Sequence, residues 1–175
     1  MTRHDDRAIC PAMKRAFSAL ALVIATIMSA PVIAQETLVP AEPGTLAWHN
    51  AQQAALHSRT AAQGWSTLEG GVKFRRVAGD GTGPAPTVED IVTVNYTGSF
   101  PDGQVFDSNE GGDPVEFPLG RLVPGWQIAI PYMGVGDTAE IAVPMDLAYG
   151  PEGRGPIPGG ATLLFTIELL GVARP

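Results

Sequence analysis

The chain has 175 residues, 45% of them hydrophobic, and a formal charge of −7. That suffices for one domain with a core and some length beside it, and it excludes global disorder. The 11 lysines and arginines are scattered singly or in pairs, so no basic patch exists to neutralise phosphates and a nucleic-acid binder is excluded.

Taken in chain order, Lys14-Arg15 precede an apolar stretch from Ala16 to Met28, and Val32-Ile33-Ala34 offers an A-x-A-like exit. This order predicts a secretory signal over 1–34, cleaved after Ala34, with Met13 an alternative start. The apolar run is shorter than the ~20 residues that span a bilayer, so no membrane anchor is expected after cleavage. Cys10, the only cysteine, leaves with the signal, and with it any disulfide, thiolate nucleophile or cysteine metal ligand. Loss of Arg3, Arg7, Lys14, Arg15, Asp5 and Asp6 brings the formal charge to −9. The expected product is an acidic, soluble, exported protein.

Residues 35–70 read as a lead with one helix. Pro40, Pro43 and Gly44 begin it, while Leu46 to Ala62 lacks Gly and Pro. Leu46, Trp48, Ala51, Ala55 and Leu56 fall near helical spacing, which predicts an apolar stripe ending before Gly64. From 71 to 175 a second unit is strand-dominated. Val72 and Phe74 alternate in a first strand, and further strands are expected at 90–99, 104–108, 114–117, 138–143 and 161–171. Val92-Thr93-Val94-Asn95-Tyr96 shows the period of 2 most plainly. Pro101-Asp102-Gly103 then supplies turn chemistry before Phe106-Asp107. In the last strand Leu163, Phe165, Ile167 and Leu169 share a face, and Leu164 and Leu170 make the opposite face apolar too. Only Gly125 to Met133 looks helical, clipped by Pro131. The expected class is α+β, a bent antiparallel β-sheet (a half-barrel) wrapped over one short α-helix.

Few residues carry reactive chemistry. His49 and His57 stand eight apart in the lead helix with no Cys or carboxylate cluster, which argues against a metal site. No Ser sits in a nucleophile elbow. The glycines of Gly79 to Gly83 are followed by Pro84-Ala85-Pro86, which cannot open a phosphate-binding helix. What remains is an aromatic set, Tyr96, Phe106, Trp126, Tyr149 and Phe165, together with Asp107, whose place in a strand beside Phe106 risks costly burial unless paired.

The contexts of these residues resemble one family in order. Val92 to Gly98 with Asp102 to Ser108, then Phe117-Pro118-Leu119-Gly120-Arg121-Leu122-Val123-Pro124-Gly125-Trp126, then Ala148-Tyr149-Gly150 and Ile157-Pro158-Gly159-Gly160-Ala161-Thr162-Leu163-Leu164-Phe165, are similar to FKBP-type peptidyl-prolyl cis-trans isomerases of the exported bacterial type. The resemblance covers about 72–173. It implies that Tyr96, Phe106, Trp126 and Phe165 line a proline pocket, with Leu122 and Val123 at its rim and the Val123 N–H meeting a substrate carbonyl. Val115 would form one wall and Ile157 would pack over the loop side. Asp107 would bond Tyr96, and the Tyr149 hydroxyl would meet the peptide. Tyr96, Asp107 and Tyr149 would act on the reaction itself.

The resemblance further implies rotation about Xaa–Pro bonds without cofactor, metal or covalent intermediate. The partners would be Xaa–Pro segments of exported proteins as they fold, and macrolide FKBP ligands would compete. The alternative is a chaperone or peptide-binding module that uses the same groove with little turnover. Departures stand beside the likeness. Val115 replaces a larger aromatic, loop 108–113 lacks the arginine that partners the aspartate, two residues fewer separate Gly120 from Trp126, and Pro158-Gly159 replaces a Pro-Pro pair.

Overall fold

The computed structural model describes residues 41–174. The signal expected over 1–34, its Met13 start and Cys10 lie outside them. Seven strands form one open, wholly antiparallel sheet: β1 (Ser66–Thr67), β2 (Lys73–Ala78), β3 (Ile91–Ser99), β4 (Val105–Ser108), β5 (Val115–Pro118), β6 (Thr138–Val143) and β7 (Leu163–Ala173), in the order β1-β2-β6-β7-β3-β4 with β5 also on β3. β4 pairs the end of β3 at Thr97 to Ser99, and β5 pairs its start at Ile91 to Val94, so loop 109–114 interrupts a single sheet edge.

Alternation decides which face is buried. Val92 and Val94 on β3, Ile141 and Val143 on β6, and Leu163, Ile167 and Leu169 on β7 point into one core, each gaining about 1.5–3 kcal/mol from burial. Helix α2 (Pro124–Ala129) lies against this face through Trp126, Ala129 and, just beyond it, Ile130. Its Pro124 occupies the first turn, where the missing N–H is harmless. At Pro131 the lost donor turns the helix expected to 133 into a 3-10 turn, Ile130–Tyr132. Gly125 allows the close approach, since a Cβ there would stand 2.3 Å from Val143 Cγ1. On β7 the outer face is less apolar than expected: Leu164 is half-buried and Leu170 exposed.

Helix α1 (Leu46–His57) starts at Thr45, whose hydroxyl accepts from Trp48 N at 3.1 Å. It stops five residues short of the expected end, because Thr60 and Gln63 form a capping box that opens a separate turn, Ala61–Gln63, closed by left-handed Gly64. The buried stripe also differs from expectation. It is Trp48, Gln52 and Leu56, while Leu46 is 83% exposed and Ala51 is exposed. A polar side chain holds the central position because Gln52 has buried partners of its own, described below.

Asp137 fixes the turn before β6. Its carboxylate accepts from Gly134 N at 2.8 Å, Gly81 N at 3.0 Å and Arg76 Nε at 2.8 Å. Burial pushes this carboxyl up, but the two N–H groups and the guanidinium outweigh it and hold it below the usual carboxylate range.

Candidate functional site

β4 and β7 bring two aromatic residues together over a glycine of β3. A Cβ at Gly98 would lie 2.7 Å from the Phe106 ring and 2.9 Å from the Phe165 ring, so only glycine lets both rings close over the strand. Phe106 and Phe165 then meet edge to face at 5.7 Å. Trp126, 4% exposed, forms the floor, with its ring 5.2 Å from Phe165 and 5.5 Å from Tyr96, both nearly perpendicular. Such edge contacts add about 0.5–1.5 kcal/mol each beyond area burial, which fixes the walls in one geometry.

The result is a cavity of about 240 Å³ lined by Tyr96, Phe106, Asp107, Phe117, Leu122, Val123, Trp126, Tyr149 and Phe165. Eight of the ten expected site residues therefore meet around one cavity. Val115 and Ile157 do not line it. Phe117, on the same β5 face as Val115, reaches instead, 6.0 Å from Tyr96 and 6.5 Å from Trp126. The short Val115 side chain stays half-buried opposite Val94. Ile157 turns into the core and bridges Arg154 within its own loop.

At the rim, the Tyr96 hydroxyl donates to Asp107 Oδ2 at 2.8 Å. Asp107 is both paired and exposed, so it escapes the cost of an unpaired buried acid, and water can solvate its other lone pairs. Burial, the bond to Asp107 and the charge of that carboxylate push the Tyr96 phenol up to about 12. Tyr96 is thus a neutral donor throughout the physiological range. Its contribution to stability is complete below the ordinary tyrosine value and is lost as pH rises through the shifted one.

Three supporting residues carry no sequence signal of their own. Asn109 fills the broken sheet edge: its Oδ1 accepts from Tyr96 N at 2.7 Å and its Nδ2 donates to Asp113 O at 3.0 Å, which fixes Tyr96 and the loop together. Gln127 Nε2 donates to Leu122 O at 2.7 Å and holds the rim segment. Gly98 closes the Val92 to Gly98 run, but its role needs the two rings in place. His49 and His57 both lie exposed on α1, away from this cavity.

Two other clefts, of about 500 and 530 Å³, are larger but lie on the polar outer face, lined by residues such as Arg75, Thr97, Glu140 and Thr166 or Asn95, Glu110 and Glu168. Arg75 donates to Glu140 at 2.5 and 3.0 Å there and rests over Trp65, so that arginine is already partnered. The smaller aromatic cavity is the better candidate because desolvated walls meet a few fixed polar groups in it.

Residues 83–170 match the profile of FKBP-type peptidyl-prolyl cis-trans isomerases. The chain is 40% identical over 121 residues, 69% of its length, to FKBP-type peptidyl-prolyl cis-trans isomerase FkpA of Aeromonas hydrophila, of which it covers 45%. It is 44% identical over 111 residues, 61% of its length, to FK506-binding protein 1 of Candida glabrata, of which it covers 96%. A crystal structure of a peptidyl-prolyl cis-trans isomerase from Pseudomonas syringae pv. tomato superposes with a TM-score of 0.69 at 32% identity, covering 77% of this chain and 99% of that one. The chain spans about half the length of the bacterial curated relatives it matches. An FKBP profile over half the chain, relatives near 40% identity and a matching open antiparallel sheet agree, and the chain belongs to the FKBP-type peptidyl-prolyl cis-trans isomerase family.

Proposed function

We propose that the aromatic cavity takes the proline ring of an Xaa–Pro segment and catalyses cis–trans rotation about the preceding bond. The observation that carries this reading is the Tyr96–Asp107 bond at the mouth of a cavity floored by Trp126. Uncatalysed rotation takes tens to hundreds of seconds, because the amide's partial double bond imposes a barrier of ~18–20 kcal/mol. Water stabilises the planar, charge-separated amide. Aromatic walls that exclude water therefore favour the twisted form, and no bond is made or broken.

In this reading Tyr96, Phe106, Phe117, Trp126 and Phe165 surround the ring. Asp107 sets a negative potential beside the twisting amide and orients the Tyr96 hydroxyl. Tyr149 donates to a peptide carbonyl. The Val123 N–H, which donates to no acceptor among the described residues, serves a second carbonyl at the rim. A ten-thousandfold acceleration needs ~5.4 kcal/mol at 1.36 kcal/mol per decade, within reach of desolvation combined with positioning. The isomerase unit would take in 71–175, preceded by a lead over 35–70 whose helix α1 packs on it.

The basic, apolar and exit segments of Lys14 to Ala34 support export, with Xaa–Pro segments of other exported chains as substrates. Among the described residues, no helix is long and apolar enough to cross a membrane. Sequencing of the native protein is expected to begin at Gln35, and a retained Met1 or Met13 on the soluble protein contradicts export. The site itself is tested with a macrolide FKBP ligand in a coupled Leu-Pro peptide assay. Competitive loss of turnover is expected, and turnover that persists at saturating macrolide overturns the assignment.

A further inference from the structure

We propose that helix α1 is a strut for the long loop 144–162 and that Gln52 is the positioning residue through which it fixes Tyr149. This deepens the isomerase reading and rests on it. The helix precedes residues 83–170, the part of the chain that matches the family profile.

Gln52 is a polar side chain 2% exposed and tied to the loop's exit: Oε1 accepts from Thr162 N at 2.9 Å, and its backbone O accepts from Thr162 Oγ1 at 3.1 Å. Thr162 stands two residues after Gly160, whose N–H donates to Gly150 O at 3.0 Å, directly beside Tyr149. Gly150 N in turn donates to Met145 O at 2.9 Å. One turn earlier on α1, Trp48 packs on the same place. A Cβ at Gly160 would stand 3.8 Å from the Trp48 indole nitrogen and 3.9 Å from Met145 Sδ. The lead also touches the loop's entrance, where a Cβ at Gly70 would meet Leu147 Cδ1 at 2.5 Å.

Entrance and exit are thus both gripped by the lead, and a hydrogen-bonded path runs from Gln52 through Thr162 and Gly160 to the residue that follows Tyr149. The loop closes on itself as well, with Arg154 N and Ile157 N each donating to the other residue's carbonyl at 2.8 and 3.0 Å. It therefore moves as a unit about its base, and the base is where Gln52 binds. Loss of the Oε1 acceptor leaves the Thr162 N–H buried without a partner, which favours a displaced base. A displaced base moves the Tyr149 hydroxyl away from the peptide, which weakens substrate binding more than it changes the twisting step.

The test uses the full chain and three measurements on wild type, Gln52→Ala, Gln52→Glu and Thr162→Val. These are Leu-Pro peptide turnover, peptide Kd by fluorescence titration, and amide exchange over 148–162. Turnover by the wild type judges the isomerase reading alone, while Kd and exchange judge the strut whether or not turnover occurs. Gln52→Ala is expected to raise KM and Kd about tenfold with kcat within about twofold, and to speed exchange at Gly160 and Thr162 about tenfold. Gln52→Glu keeps an acceptor at the same place and restores Kd to within about threefold, and Thr162→Val, which keeps the backbone N–H, gives an intermediate loss. Unchanged Kd and loop exchange in Gln52→Ala, with only a lower Tm, overturns the proposal.

Discussion

Asp107 and Tyr96 divide one task between an exposed carboxylate and a half-buried phenol. The bond joining them is 2.8 Å, and a neutral tyrosine with a pKa near 12 donates it across the whole useful pH range. Because Asp107 is solvated, the net worth of the bond to the fold is about 0.5–1.5 kcal/mol at most. Asp107→Val is therefore expected to lower kcat/KM several-fold or more while Tm shifts by no more than a few degrees. Full activity in that variant, checked in the peptide assay beside a thermal melt, contradicts an electrostatic role. The pair is legible in the sequence through the family resemblance, which implies that Asp107 bonds Tyr96. That Phe117 rather than Val115 lines the wall is not legible. Both sit on one face of β5, and the choice depends on ring reach toward Trp126, which only the packed core determines.

Among elements, the strands read well because alternation is a local property: β3 and β6 lie where their period of 2 places them. Helix α1 reads poorly in detail. Its buried positions are 48, 52 and 56, spaced by four, yet the central one is glutamine, whose burial is tolerated because Thr162, 110 positions later, supplies its partners. No local pattern carries a contact of that separation. Asp137 is a further long-range tie, joining β2 and the 79–83 turn to the start of β6. Its folded pKa is depressed, so the stability it gives is present above the ordinary carboxylate value near 3.9 and is lost as pH falls through the depressed one. Wild-type Tm is expected to fall steeply below about pH 4, with a shallower limb in Asp137→Asn. At pH 7 that variant loses toward the lower end of the ~3–5 kcal/mol that breaking a buried pair costs, because Arg76 is partly exposed. Melts of both proteins from pH 2 to 7 check this, and parallel acid limbs contradict it.

At the scale of the described residues as a whole, an open antiparallel sheet holds a short helix on its apolar face and leaves an aromatic notch where β3, β4, β5, β7, α2 and the long loop converge. The sheet supplies rigidity, since β7 pairs along nearly its full length with β3 and over Leu163 to Glu168 with β6. The part of the notch that carries Tyr149 lies in a long loop outside the strands and α-helices, and the lead helix braces it. The fold is readable from the alternating strands and the notch only through the family resemblance, whereas the brace carries no signal of either kind. As proposed above, this notch turns Xaa–Pro bonds rather than merely holding them. Exchange NMR of a Leu-Pro peptide with catalytic amounts of protein tests it directly. The cis and trans proline signals are expected to interconvert in well under a second instead of the tens to hundreds of seconds of the free peptide. Peptide signals that shift on binding while interconversion stays at the uncatalysed rate would contradict the claim and leave only a binding module.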